Sequence, residues 1–436
     1  MQRRDFVKLC GAAGLGFAAP VGLSSVARAE SAETELPSYE GPYYVVFNAS
    51  GGWDTTCLMD PKGVNEMNRL YKEGEILTEG NHRLAPTAAH IERGMSNEDF
   101  FRRHGNDLLV LNGLDYSVNN HSPCSRYMAT GKLDSLAYPT FAALVAACNG
   151  SEVPLAFLTF GNYSSTGNLV PMARVPYLNS LSRLANADGV SGSARNPYHD
   201  DFVTDRIEQA LESQMKARIG KVHLPRVERS QSMLYAAQLN SKALQRVTPY
   251  IPKSTPKENL SQQADIALAS FKAGVCVSAN LNIGTFDSHK DNDTDQMNRI
   301  PTMLAGIDYL TTKAEEMQLR EKLVIVIQSE MGRTPTYNKN NGKDHWSIGS
   351  VMFMGRGIKG NRVIGATDEK QFLVPINPQS LATDMEKGIR VRPEHIHSAL
   401  REFAGIDTHA FAEKFSLDIP DAERLHGLLS QDDMGT

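Results

Sequence analysis

The feature of this sequence that most limits its fold is a series of short apolar runs without polar alternation. Each run is rich in strand-forming residues and stops at or near a glycine or a polar side chain. Such runs are typical of strands buried on both faces, as in a parallel sheet, and not of strands with one face in water. The runs are Tyr43–Phe47, Leu108–Leu111, Leu155–Phe160, Val277–Ile283, Lys322–Ile327 and Val351–Met354.

Helical patterns alternate with these runs, at Phe141–Cys148, Gln296–Met317 and Pro393–Phe403. Strands that alternate with helices predict an α/β fold in which helices cover both faces of a mostly parallel central sheet. Residues 198 to about 273 are more charged and helix-patterned throughout, so we predict a helical insertion there. The rest of residues 30–436 is predicted to form a single domain.

Composition narrows the class of protein. The chain has 436 residues with 41% hydrophobic and 22% charged residues, which is ordinary for a globular protein. Its net charge of -5 argues against a nucleic-acid partner, because nucleic-acid-binding proteins carry a basic excess.

The N-terminus has the pattern of an export signal. Arg3 and Arg4 precede a modest apolar stretch from Leu9 to about Val26, and Ala27-Arg28-Ala29 follows as a cleavage site. Paired arginines of this kind resemble the twin-arginine (Tat) signal, so residues 1–29 are predicted to engage the Tat translocase and to leave no membrane span after cleavage. The mature protein is then periplasmic or otherwise exported. The alternative is a basic amphipathic start to a cytoplasmic protein.

Polar residues follow the predicted strands, where an open parallel sheet binds ligands. Asp54 follows Gly51-Gly52 and is either a metal-binding carboxylate or a turn or helix-capping residue. Asp287 and His289 follow another strand and offer an oxygen and an imidazole to one cation, although a solvated acidic loop also explains the aspartates around them.

Two further polar clusters occur in the sequence, one after the strongest predicted strand and one at the start of a short predicted helix. Glu330 ends the strand, where a carboxylate needs a metal or a partner such as Arg333, and Asp344-His345 follow a loop rich in Asn and Gly. In His121-Ser122-Pro123, with Arg126 beyond, Ser122 is either a nucleophile near an anionic ester or the cap of a helix that begins at Pro123.

The ordered set of these motifs resembles domain-of-unknown-function family 1501. The resemblance rests on Glu330-Met-Gly-Arg-Thr-Pro335 with Asp344-His345, and on Gly51–Asp54, Asn120-His121 and Phe286–His289. It spans nearly the whole chain after residue 29. That family comprises exported bacterial proteins of the alkaline phosphatase-like superfamily, which implies an alkaline phosphatase-like three-layer sandwich with a divalent metal site.

The resemblance implies an exported metal-dependent hydrolase of phosphate or sulfate esters. The metal, zinc, manganese or calcium, would be held by Asp54, Asp287, His289, Glu330, Asp344 and His345. The catalytic groups expected for a small anionic ester are His121, Ser122, Arg126 and Arg333. Met331 stands where the superfamily has a metal-binding histidine, and Ser122 is out of register with its nucleophile. A non-catalytic periplasmic binding or assembly protein on the same scaffold is therefore the alternative.

Overall fold

The computed structural model describes residues 38–88, 94–161, 163–192, 196–218 and 241–430. The predicted signal at residues 1–29 and residues 219–240 of the predicted insertion lie outside these residues. The strands are β1 Tyr43–Ala49, β2 Leu77–Glu79, β3 His82–Leu84, β4 Leu108–Asp115, β5 Phe157–Thr159, β6 Met172–Ala173, β7 Ser278–Ile283, β8 Leu323–Ser329, β9 Gly332–Arg333, β10 His345–Trp346, β11 Ile348–Gly355, β12 Arg362–Ile364, β13 Ala366–Thr367 and β14 Leu373–Val374. The helices are α1 Asn97–His104, α2 His121–Thr130, α3 Phe141–Gly150, α4 Leu178–Ala185, α5 Asp201–Arg218, α6 Ser241–Leu244, α7 Asn259–Lys272, α8 Asn292–Glu316, α9 Pro393–Phe403 and α10 Ala410–Lys414.

The central sheet has eight strands in the order β12-β4-β11-β8-β1-β7-β5-β6. Every pairing in it is parallel except the two made by β11, which is antiparallel to both β4 and β8. All the predicted apolar runs are strands of this sheet, so the predicted α/β class with a mostly parallel sheet is confirmed. The short strands β6 and β12 at the two edges of the sheet do not correspond to any predicted run.

Helices cover both faces of the sheet, and β1 shows how the sequence fixes the layers. Tyr43, Val45 and Phe47 point into one core with α7 and α8, whereas Tyr44 and Val46 point into a second core with α3 and α9. Alternate residues of a strand face opposite sides of the sheet. Because both sides are packed, β1 is apolar from Tyr43 to Phe47, which produces the unbroken run in the sequence.

The predicted insertion requires a correction at its C-terminal end. Helix α7 is buried along most of its length and packs in the same core as β1 and α8, so it belongs to the main layers of the fold. The described residues of α5, by contrast, are exposed or half-buried. Residues Asn259–Lys272 therefore lie outside any insertion, and an insertion over the residues before them stays a prediction. No helix within the described residues combines the length and the apolar character that a membrane crossing requires.

Candidate metal centre

Strand direction brings the predicted polar clusters to one edge of the sheet. The parallel strands β1, β7 and β8 end there, and they are followed by Asp54, Asp287 and Glu330, respectively. Helix α2 begins with His121 six residues after β4 ends at the same edge. Strand β11 runs the other way, so its N-terminal end lies at this edge, and the preceding β10 contributes His345.

Four side chains converge at this edge, and we call His121, Asp287, His289 and His345 the histidine–aspartate cluster. His289 Nε2 lies 3.1 Å from both Asp287 Oδ1 and His345 Nε2. His345 Nε2 is 3.3 Å from Asp287 Oδ1, and His121 Nε2 is 3.5 Å from Asp287 Oδ2. Ligand atoms of His121, Asp287 and His345 all lie within 4.8 Å of one another. The structure therefore places three imidazoles around one carboxylate.

These separations fit a metal ion. With metal–ligand bonds of about 2.0–2.1 Å, the ligand atoms of a tetrahedral zinc site are about 3.3 Å apart. Two imidazole Nε2 atoms 3.1 Å apart cannot both carry a hydrogen, because two donors would then face each other. The side chains of the cluster are 20–44% exposed, so solvent and a small ligand can reach them.

The far side of each ring explains why Nε2 faces the cluster. His121 Nδ1 is 3.1 Å from Glu330 Oε1, His289 Nδ1 is 2.9 Å from Asp344 Oδ1, and His345 Nδ1 is 2.9 Å from the Asn119 carbonyl oxygen. Since these oxygens can only accept, each neutral ring carries its hydrogen on Nδ1 and leaves the Nε2 lone pair free. Supporting oxygens of this kind orient the histidines of metal sites.

Glu330 and Asp344 therefore support the cluster, whereas the sequence analysis expected both as metal ligands. Glu330 Oε1 also accepts a hydrogen bond from Gly51 N–H at 2.8 Å, but the buried Oε2 has no hydrogen-bond partner among the described residues. The hydrogen bond to Glu330 raises the pKa of His121. A carboxylate oxygen that is buried and unpaired is costly, and a nearby cation would reduce that cost.

Arg333 holds the edge together from inside the protein. Its fully buried guanidinium donates to the carbonyl oxygens of Gly51, Gly52 and Lys343 and pairs with Asp287 Oδ1 at 2.8 Å. Burial alone would raise the pKa of Asp287, but the hydrogen bond and charge of Arg333 outweigh it and lower that pKa. All three guanidinium nitrogens already have protein acceptors, so the geometry does not support the expectation that Arg333 contacts substrate.

The structure does not bring Asp54 into the cluster. Its carboxylate is completely buried and pairs with Lys343 Nζ at 2.7 Å, and Asn292 Nδ2 and the Thr56 hydroxyl donate to its oxygens. Asp54 also accepts from Thr56 N–H as the cap of the short 3-10 helix Thr55–Cys57. The capping alternative considered for Asp54 thus describes its position, and the predicted metal role has no geometric support.

Ser122 and Arg126 lie on α2, the helix that begins with His121. Helix α2 begins at His121 with Asn120 as its cap, so the alternative in which Ser122 caps a helix starting at Pro123 is wrong. Ser122 is exposed beside His121. Arg126 donates from Nε to the Leu133 carbonyl oxygen at 2.8 Å, and five residues along a helix place it about 140° around the axis from His121.

Sequence reasoning missed three parts of this site. His121 was expected as a catalytic group, although its Nε2 faces the same carboxylate as the two other histidines. Asn119 acts through its main-chain carbonyl, which its residue type does not reveal. Lys343 precedes Asp344-His345 directly, and a lysine in that position was a visible signal that the analysis did not use.

Several solved structures are similar to this chain at low identity. The lipoteichoic acid synthase LtaP from Listeria monocytogenes is 6% identical with a TM-score of 0.38, over 92% of this chain and 78% of that chain. The PsFucS1 sulfatase from Pseudoalteromonas sp. is 10% identical with a TM-score of 0.35, over 84% and 68%. The TAB5 alkaline phosphatase is 8% identical with a TM-score of 0.34, over 75% and 94%.

Comparison by sequence gives a family. None of the curated proteins matches this chain. The profile of the family described as "Protein of unknown function (DUF1501)" matches residues 44–411, which include every member of the histidine–aspartate cluster. Because this match covers most of the chain, the protein belongs to the DUF1501 family.

Proposed function

We propose that this protein is an exported metal-dependent hydrolase of phosphate or sulfate esters. The observation that carries the proposal is the orientation of His121, His289 and His345, whose Nδ1 atoms are held by oxygens while their Nε2 atoms surround Asp287. The alkaline phosphatase-like superfamily that the family resemblance implies is consistent with such a centre.

The composition of the cluster favours certain metals. Imidazole nitrogen suits zinc, and the carboxylate of Asp287 is a ligand type that manganese accepts, whereas calcium prefers a shell made of oxygens. We therefore expect zinc or manganese at His121, Asp287, His289 and His345. When bound, such an ion polarises an ester oxygen and lowers the pKa of a coordinated water.

The chain's own groups would orient the ester around that ion. Asp287, Glu330 and Asp344 make the edge of the sheet acidic, so an anionic ester needs a cation in order to approach it. Ser122 is exposed next to His121 and is our candidate nucleophile. Glu330 and Asp344 hold the imidazoles, and Arg333 fixes Asp287 from the buried side.

Metal analysis combined with turnover tests this proposal. Purified protein should bind zinc or manganese and hydrolyse an aryl phosphate or an aryl sulfate. Asp287→Ala should remove the metal and the activity, because it removes the carboxylate that contacts all three imidazoles. Asp295→Ala removes an exposed carboxylate of α8 and should change neither. Protein that binds no metal and is inert would overturn the proposal.

The second candidate function is a non-catalytic binding or assembly protein. The observation that favours it is that the guanidinium of Arg333 donates its hydrogen bonds to main-chain carbonyl oxygens of the protein. Arg333 is therefore not turned toward a substrate. Bound metal without turnover of either ester, in wild type and in Ser122→Ala alike, would support this candidate. Turnover that Ser122→Ala abolishes while the metal stays bound would support the hydrolase.

Export is part of the proposal and rests on the sequence of residues 1–29. We expect the mature protein to begin at Glu30, after cleavage behind Ala29. Replacement of both Arg3 and Arg4 by lysine should leave the precursor uncleaved in the cytoplasm. Sequencing the N-terminus of the exported protein checks the site, and cleavage that continues in the twin-lysine variant would contradict the Tat route.

A further inference from the structure

A buried polar network adjoins the histidine–aspartate cluster and contains a lysine. We call Asp54, Thr56, Ser288, Asn292, Gln296 and Lys343 the Asp54 network. Ser288 directly follows Asp287, and Lys343 precedes Asp344 and His345, so the two groups of side chains share their chain segments. The main chain joins them again, because Lys343 N–H donates to the Ser288 carbonyl oxygen at 2.9 Å.

The oxygens of this network are of the kind that bind hard cations. Ser288 Oγ donates to Asn292 Oδ1 at 2.6 Å and accepts from Gln296 Nε2 at 3.0 Å, and Asn292 Nδ2 donates to Asp54 Oδ2 at 2.9 Å. The network thus holds a carboxylate together with hydroxyl and amide oxygens, which are the ligand types of magnesium and calcium, although Asn292 turns its amide nitrogen toward Asp54. In this protein the positive charge beside Asp54 comes from Lys343.

The Lys343 ammonium is fully buried and acts mainly as a charge. Asp54 Oδ2, at 2.7 Å, is its one ion-pair contact within the described residues, and the centre of the Tyr337 ring lies 5.1 Å from Nζ. An ammonium has three N–H donors, so most of its hydrogen-bonding capacity is unused here. Burying it is costly, and the compensation comes from the charge of Asp54.

We propose that Lys343 is a built-in cation that neutralises Asp54 and excludes a second metal ion, so that the centre binds one metal. This inference rests on the proposed metal-dependent function. It reassigns Asp54, expected from the sequence to be a metal ligand, to a partner of Lys343. It also predicts a latent cation site, because removal of the ammonium leaves a buried carboxylate without a counter-charge, next to hydroxyl and amide groups that can turn an oxygen toward a cation.

The test counts metal ions by elemental analysis of the full-length protein after loading with zinc and magnesium. Wild type should hold one equivalent of zinc and no magnesium. Lys343→Ala should keep the first ion and bind one magnesium as well, and its thermal midpoint should rise with magnesium concentration while that of wild type stays constant. The double variant Asp54→Asn/Lys343→Ala should lose the magnesium.

Lys62→Ala is the matched control, because Lys62 pairs with Asp60 at 3.1 Å and both side chains are buried. If Lys62→Ala gains magnesium as readily as Lys343→Ala, uptake is a general response to an unpaired carboxylate and the inference fails. If Lys343→Ala does not fold, Asp54→Asn/Lys343→Met neutralises both members of the pair. This double variant should still bind one equivalent of zinc. If it binds no zinc, Asp54 is a metal ligand and the inference is overturned.

The outcomes separate the two proposals. If wild type binds two equivalents of metal and Asp54→Asn loses one of them, the proposal that Lys343 excludes a second metal is overturned. The proposed metal-dependent function is not affected by that result. No bound metal in wild type would overturn both. One equivalent in wild type with magnesium uptake confined to Lys343→Ala supports both.

Discussion

At the scale of single residues, the oxygen that meets Nδ1 of each histidine decides which ring nitrogen faces the cluster. A histidine after a strand can bind a metal through either ring nitrogen, and the choice depends on the acceptor that meets the other nitrogen. For His345 that acceptor is a main-chain carbonyl oxygen, at Asn119. Residue types alone therefore could not separate the cluster from the carboxylates that support it.

The supporting role of Glu330 leads to a prediction on metal affinity. Glu330→Gln keeps the shape of the side chain but removes the negative charge of the group that accepts the hydrogen bond from His121 Nδ1. We expect the metal affinity to fall about 10- to 100-fold, because an uncharged acceptor makes the imidazole a weaker ligand. Competition with a chromophoric chelator measures this change.

A second His–Glu pair supplies the control for Glu330→Gln. Glu402 lies 3.1 Å from Nδ1 of the exposed His426. Glu402→Gln should leave the metal affinity unchanged. Equal affinity in wild type and Glu330→Gln would show that Glu330 does not support the centre through its charge.

At the scale of elements, the sequence predicted where strands occur but not the direction of one of them. The apolar run of β11 resembles those of its parallel neighbours, because both faces of the sheet are packed whichever way a strand runs. Its antiparallel direction follows from the short hairpin of β9 and β10, which pairs His345 with Arg333. Helix α2 also starts at His121, two residues before the start at Pro123 that the capping alternative for Ser122 required.

The C-terminal end of α2 allows a stability prediction. Gly131 caps the helix with a φ of 73°, and a Cβ added there would lie 2.7 Å from the His397 Cβ of α9. Gly131→Ala should lower the free energy of unfolding by roughly 2–4 kcal/mol, since the left-handed backbone and the steric overlap both cost energy. Chemical denaturation measures the change.

Gly405 after α9 separates the two contributions. It has a φ of 64°, and a Cβ added there meets nothing within 4 Å. Gly405→Ala should therefore cost only the backbone contribution, about 1 kcal/mol. If the two variants lose the same stability, the contact with His397 does not contribute.

At the scale of the whole molecule, the layers were predictable because burial on both faces of the sheet leaves a continuous apolar pattern. The end of the insertion was not, because α7 contains polar residues such as Gln263 and Asp265 that are nonetheless buried. Gln263 donates to the Asn282 carbonyl oxygen at 2.9 Å, a contact with a residue of β7 that helix periodicity cannot reveal. Polar residues satisfied inside a core read as surface residues in a sequence.

His397 predicts how the stability of the whole protein depends on pH. Burial is the main cause that lowers its pKa to about 4, although Nε2 lies 2.9 Å from the Met128 carbonyl oxygen. An unfolded histidine has a pKa of about 6.5, so between these values the unfolded chain binds more protons than the folded one. Stability contributed by neutral His397 is therefore present above pH 6.5 and decreases as the pH falls toward 4, by up to about 1.4 kcal/mol per pH unit.

The variant His397→Gln tests this contribution, because its side-chain amide can still donate to the Met128 carbonyl oxygen but does not titrate. With metal removed by chelator, unfolding curves from pH 7 to 4 should show a shallower loss of stability for His397→Gln than for wild type. Leu400→Ala removes a buried contact on the same helix and should lower stability by about 2–5 kcal/mol at every pH without changing the slope. Parallel pH profiles for wild type and His397→Gln would mean that protonation of His397 does not weaken the fold. The loss of stability would then come from other buried histidines, such as His82, because burial lowers the pKa of His82 as well.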